Sequence, residues 1–180
     1  MDWFWIFVLY SFGGYLLEKL FAAVTHSPHR VRKCFLLLPL CPVYGLAMLA
    51  VLHLPPALSG SFFSLALYGG FTATAVEYAV HFAYDKLLGV MFWDYSPTKM
   101  DLNRRVCLPF SVLWGILSAL AVHYVQPLLA SLFPLLSPAL SYAMVLLLIL
   151  DSFLSVKLLY EKQNIDLLGW SNLLHAWQRS

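Results

Sequence analysis

The chain has 180 residues, of which 61% are hydrophobic and only 11% charged, with a formal net charge of +2. A soluble domain carries about 25% charged residues, so a water-exposed globular domain is excluded. The composition suits lipid, where apolar surface is tolerated, and no nucleic-acid partner is expected.

A bilayer core of about 30 Å needs roughly 20 mainly apolar residues in a helix. Five segments meet that need, which predicts an all-α membrane protein: a polytopic bundle of about five transmembrane helices within residues 1–162. The first runs from Trp3 to Val24, and Asp2 before it leaves no basic start for a cleaved secretory signal. The second runs from Phe35 to Leu54, with Pro39 and Pro42 near its start. The third covers Ser61–Tyr84, the fourth Val106–Val125 and the fifth Pro138–Tyr160. Residues 163–180 form a tail in which Leu and Trp alternate with polar residues between Ile165 and Trp177. An amphipathic helix at the membrane surface is expected there.

The loops alternate in charge. His26, His29, Arg30, Arg32 and Lys33 follow the first helix; Lys86, Lys99, Arg104 and Arg105 follow the third; Lys157, Lys162 and Arg179 lie at the end of the fifth and beyond. The loops around Pro55 and between Gln126 and Pro138 carry no charge. Cytoplasmic loops collect Lys and Arg, so the N-terminus is expected outside and the C-terminus in the cytoplasm, with Lys19 snorkelling to the inner edge.

Ionisable residues within membrane helices are functional candidates by default. Glu18 and Glu77 fall in the cytoplasmic halves of their helices, in one layer; Asp151 lies in the fifth. Ser11, Gly14 and Glu18 share a face at helical spacing. So do Gly70, Thr74, Glu77 and His81 on the third helix, and Cys107, Ser111, Gly115 and Ser118 on the fourth. Small and weakly polar faces let helices approach closely, so these stripes are expected to turn inward, either as a site or simply as packing seams. The loop from Met91 to Cys107 adds Trp93, Asp94, Tyr95, Asn103 and Arg105; its alternative reading is a solvated loop held to lipid by Trp93 and the arginines. Cys34, Cys41 and Cys107 match no zinc spacing, and their expected role is structural. No P-loop or hydrolase motif is present, and the spacing of His26 and His29 is a weak metal signal, so no cofactor is named and an enzymatic role is not the first expectation.

Tyr10-Ser11-Phe12-Gly13-Gly14 with Leu17-Glu18, Cys41-Pro42-Val43-Tyr44-Gly45, Glu77-Tyr78, Trp93-Asp94-Tyr95-Ser96, Asn103 with Arg105-Val106-Cys107, and Phe110-Ser111 with Trp114-Gly115 form an ordered set. It resembles a bacterial membrane-protein family of type IV ABC-transporter permeases, the CmpB-like proteins. Two positions depart from that pattern: Arg104 stands where the family has Gly, and Lys33-Cys34 where it has Arg-Gly. The resemblance implies a transport subunit of the bacterial cytoplasmic membrane, working with a separate ATPase. Five helices are few for a transport path, so a homo-oligomer is expected.

Three functions compete. In the first, a permease-like subunit binds a substrate or ion through Glu18, Glu77, Asp94, Tyr95, Asn103, Arg105, Tyr44 and Trp93. Cys41, His81, Cys107 and Asp151 stand as secondary candidates, and Arg105 pairs with Glu18 or Glu77 or with an anionic substrate. In the second, an intramembrane enzyme acts on a lipid or its head group, with Trp93, Tyr95 and Trp114 lining an acyl slot. In the third, a structural or regulatory subunit uses the charges as buried interhelical pairs.

Overall fold

The computed structural model describes residues 2–25, 34–98 and 100–168. These are mostly helical. Helix α1 spans Asp2–Val24, α2 Pro42–Leu52, the single turn α3 Pro56–Ser59 and α4 Phe62–Ala83. A π-helical turn, Tyr84–Leu88, extends α4 and ends at Gly89, whose φ of 66° needs no side chain. A two-residue hairpin, β1 Asp101–Leu102 and β2 Val106–Cys107, leads into α5, Leu108–Leu120. A π turn Ala121–Val125, α6 Gln126–Leu132 and a 3-10 turn Phe133–Leu135 continue α5 without a break, and α7 covers Pro138–Lys162.

Three of these stretches are long and apolar enough to cross a membrane: Asp2–Val24, Leu108–Leu135 and Pro138–Lys162. Helix α4 has 22 residues, but Glu77 and His81 make it less apolar than those three. The second expected span is shorter than its hydropathy suggests. Helix begins only at Pro42, and residues 34–41 are non-helical. The cause is local. Residues before a proline are pushed out of the α region; Cys41 accordingly takes φ −118° and ψ 91°, and Pro42 then starts the helix.

The uncharged loop expected from Gln126 onward is instead helical to Leu135. The widened turn at Ala121–Val125 falls just before Pro127, whose ring has no N–H to return to the preceding turn. Of the expected tail helix, only a 3-10 turn at Ile165–Leu168 lies within the described residues. The basic loop between α1 and residue 34, Lys99, and the tail beyond Leu168 lie outside them.

Helices α1, α2, α4 and α5 pack side by side in that order. The small-residue faces are the seams. A Cβ placed on Gly115 would meet the Ala66 carbonyl oxygen, and one on Gly70 would come within 3.0 Å of Gly115 Cα. Likewise Gly14 leaves room for the Tyr44 ring, and Gly45 for Ser11 and Phe7. On the other side α7 packs over α1 and the 34–41 segment. Trp5 Nε1 donates to Ser141 Oγ at 2.9 Å, and Trp5, Val8, Leu36 and Leu40 bury together against Met144 and Leu148.

Candidate functional site

Glu77 lies one turn and a half before the end of α4, and both of its oxygens are bonded. Tyr95 Oη donates to Oε1 at 2.9 Å and Trp114 Nε1 to Oε2 at 2.8 Å. On the facing helices, Tyr44 Oη donates to Glu18 Oε1 at 2.8 Å. Both carboxylates line one cavity of about 640 Å³. Its polar end is ringed by aromatic groups: Tyr44 and Trp114 meet edge to face with centroids 5.5 Å apart, and Tyr95 lies 5.0 Å from Phe110. Apart from Tyr10 and Ser118 the rest of the wall is apolar, from Leu17 and Leu20 on α1 to Leu113, Leu117 and Leu120 on α5.

The loop that carries Tyr95 is folded back onto α4. His81 Nε2 bonds the Trp93 carbonyl at 3.0 Å, and its ring meets the Trp93 indole edge to face. Trp93 Nε1 donates to the Arg105 carbonyl at 2.9 Å, and the Tyr95 N–H to the Arg104 carbonyl at 2.9 Å. Burial pushes the Tyr95 hydroxyl well above its usual range, and the adjoining Glu77 carboxylate pushes it further. Tyr95 therefore remains a donor to Glu77. Asp94, one residue earlier, points the other way. It is exposed and accepts from the Ser96 N–H at 2.8 Å, which holds its carboxyl below the usual carboxylate range.

A second cluster forms around Tyr78. Asn103 Nδ2 donates to Tyr78 Oη at 2.9 Å, and Arg105 reaches the same oxygen at 3.5 Å. Arg105 makes its ion pair with Asp85, at 2.7 Å, and lies over the Tyr78 and Phe82 rings. The expectation that Arg105 pairs with Glu18 or Glu77 is thus corrected: its carboxylate partner is Asp85, about two turns beyond Tyr78 on the same face.

The sequence candidates therefore separate. Glu18, Tyr44, Glu77, Trp93 and Tyr95 come together at the cavity. His81 is buried behind them, with Nδ1 lacking a hydrogen-bond partner among the described residues. Asn103 and Arg105 belong to the Tyr78 cluster. Cys41 and Cys107 are buried at the starts of α2 and α5. Asp151 faces the 34–41 backbone, away from the cavity. Asp85 was missed, since a carboxylate among loop charges gives no signal in one sequence. Trp114 as a partner of Glu77 was missed too, because contacts between helices 37 residues apart follow only from packing. Among the described residues, no three His, Cys, Asp or Glu side chains are grouped to hold a metal ion.

Helices long and apolar enough to cross a membrane, packed beside a cavity lined by two hydrogen-bonded carboxylates, are the features of a helical membrane protein. The family model described as "Putative ABC-transporter type IV" matches residues 5–156. The chain belongs to that family, which makes it a transport-related membrane protein. Comparison with curated proteins and with solved structures found no match.

Proposed function

We propose that this chain is the permease-like, membrane-embedded subunit of a transporter, with the cavity as its substrate site. The observation that carries the reading is the pair Glu18 and Glu77, on different helices, each held by a tyrosine hydroxyl and both facing one cavity. Buried carboxylates are costly in a membrane and are retained where they meet a cation, a proton or a donor-rich ligand. No nucleotide-binding motif occurs in the chain, so turnover requires a separate ATPase.

In this reading the chain crosses the bacterial cytoplasmic membrane five times, through α1, residues 34–52, α4, residues 108–135 and α7. The N-terminus is outside, and the hairpin end of the cavity faces the cytoplasm. It works as a homo-oligomer. Uptake or export in proteoliposomes, reconstituted with the co-purified ATPase, tests the function. Loss of transport in a folded Glu77→Gln protein is expected. Unchanged transport in both Glu18→Gln and Glu77→Gln would reject the site. Thiol labelling of single cysteines at Ser137 and Gln163, in a background without native cysteines, tests the orientation: an impermeant reagent applied outside should reach only Ser137→Cys.

A second reading, an intramembrane enzyme acting on a lipid, rests on Trp93, Tyr95 and Trp114 lining the same apolar cavity. A changed lipid profile on deletion, with transport intact, would favour it.

A further inference from the structure

Tyr10 and Phe21 on α1 mark the two ends of a side entrance to the cavity. Tyr10 Oη donates to the Ala121 carbonyl of the α5 extension at 3.4 Å, and Phe21 meets Phe110 edge to face with centroids 5.9 Å apart. Between these contacts α1 and α5 form the long walls of the cavity, and Val43, Ala47, Met48 and Ala73 of α2 and α4 form its floor. The lips are apolar and exposed: Leu17 and Leu20 on one side, Leu113 and Leu120 on the other. The step from Tyr10 to Phe21 spans about 16 Å at 1.5 Å per residue. That is close to the roughly 15 Å hydrocarbon depth of a single leaflet. In a bilayer this entrance opens onto acyl chains.

The aromatic donors of the wall are already engaged with protein. Tyr10 bonds the Ala121 carbonyl, Tyr44 bonds Glu18, and Trp93 bonds the Arg105 carbonyl. Tyr95 and Trp114 bond one Glu77 oxygen each. Ser118 is buried against Gly69. The two carboxylates thus tie α1 to α2, and α4 to the loop and α5, holding the aromatic wall in shape. A polar head drawn into the cavity would lose its water and meet groups that are already bonded. A hydrocarbon chain needs no such partner and gains contact with leucine side chains and ring faces. On the outward face of α7, at exposed Leu147 or Phe153, a lipid chain touches protein on one side only. In the cavity it touches two walls and a floor. The volume of about 640 Å³ lies in the range of ligand sites.

We infer that the cavity takes the hydrocarbon chain of a lipid-like substrate, entering sideways from one leaflet between α1 and α5, with its head group left outside. This rests on the reading of the cavity as a substrate site, and names what part of the substrate it recognises. Chain length sets affinity, and head-group charge does not.

Binding is measured by photolabelling of the full chain in maltoside micelles, with monopalmitoylglycerol carrying a diazirine in its chain as probe. Labelled residues are mapped by mass spectrometry. Saturable labelling of the α1 and α5 walls is expected, at least about tenfold above that of the α7 face around Leu147 and Phe153. Unlabelled monopalmitoylglycerol, cationic palmitoylcholine and anionic lysophosphatidylglycerol with the same chain should displace the probe within about threefold of one another. Monocaprylin, with the same head and a shorter chain, should be at least about tenfold weaker, because each lost methylene removes buried apolar area. Leu117→Trp, which fills the slot, should lower wall labelling about tenfold and leave α7 labelling unchanged. Leu113→Trp, at the exposed lip, does the same and keeps the test decisive if Leu117→Trp fails to fold. Equal labelling of walls and α7 would mean boundary lipid only and overturns the inference. So does a head-group preference beyond about threefold, a monocaprylin difference below about tenfold, or indifference of labelling to both substitutions. Chain binding with no transport activity in the reconstituted system would reject the transporter reading alone. Transport of a water-soluble solute, with no chain bound, would reject the inferred substrate class alone.

Discussion

Asp151, near the middle of α7, accepts hydrogen bonds from the backbone N–H of Leu37 at 3.1 Å and of its neighbour Leu38 at 3.0 Å. Residues 34–41 have left the helix and have no ladder of their own. Irregular backbone at membrane depth survives only where protein supplies the missing partners. Asp151, 7% exposed, is that partner, and its ionisable group is thereby accounted for as scaffold.

Asp151→Asn should lower stability by about 1–3 kcal/mol, since its amide NH2 would face a backbone donor. Asp151→Ala should cost at least as much. Melting of the detergent-solubilised protein checks both. Unchanged melting in both variants would show that the 34–41 backbone is held by packing alone.

Two adjacent glycines should behave in opposite ways. A Cβ on Gly14 would strike the Tyr44 ring, while one on Gly13 meets nothing within 4 Å. Gly13→Ala should be neutral or stabilising by up to about 1 kcal/mol through reduced backbone freedom. Gly14→Ala should destabilise by about 1–3 kcal/mol through overpacking, and by moving Tyr44 it should also disturb the bond to Glu18. Equal melting of the two variants would contradict the close approach of α1 and α2.

Tyr95→Phe removes a donor from Glu77 and keeps the ring. The expected loss is about 1–3 kcal/mol, because a buried carboxylate oxygen is left without its partner. The loss should shrink in a Glu77→Gln background, with a coupling of about 0.5–3 kcal/mol. A double-mutant cycle measured by melting gives the coupling directly; a value near zero would mean the two groups do not interact.

The hairpin turn holds Asn103 at φ 53° and Arg104 at φ 63°, closed by the Arg105 N–H on the Leu102 carbonyl at 3.1 Å. Such a turn prefers glycine at its second central position. Arg104→Gly should therefore stabilise the protein by about 1 kcal/mol, visible as a raised melting temperature. A lowered one would show that the Arg104 side chain makes contacts worth more than its backbone strain.

Arg105→Ala should loosen the hairpin without touching the cavity, because its partners are Asp85, Tyr78 and Phe82. Arg105→Lys should not restore it, as a point ammonium cannot stack on two rings while pairing with Asp85. Protease cleavage within residues 100–107 should speed up in both variants, while binding at the cavity stays within about twofold. A large loss of cavity binding in Arg105→Ala would place Arg105 in the site after all.

The sequence by itself determined the helical, lipid-facing class, the limits of α1, α4 and α7 to within a few residues, and the faces on which helices meet. Hydrophobic length and spacings of three and four residues are local quantities, and Gly14, Gly70, Gly115, Glu18 and Glu77 carry them openly. Tertiary structure alone decided the partners. Whether Arg105 turns to Glu77 or to Asp85, whether Asp151 lines a site or caps a strand of loose backbone, and whether Trp114 reaches Glu77 depend on distances between helices far apart in the chain. The same holds for residues 34–41. Their apolar run reads as membrane helix, but two prolines break its hydrogen-bond ladder, and the extended chain stays buried with Asp151 accepting from the Leu37 and Leu38 N–H groups and the Ser11 carbonyl accepting from that of Cys41.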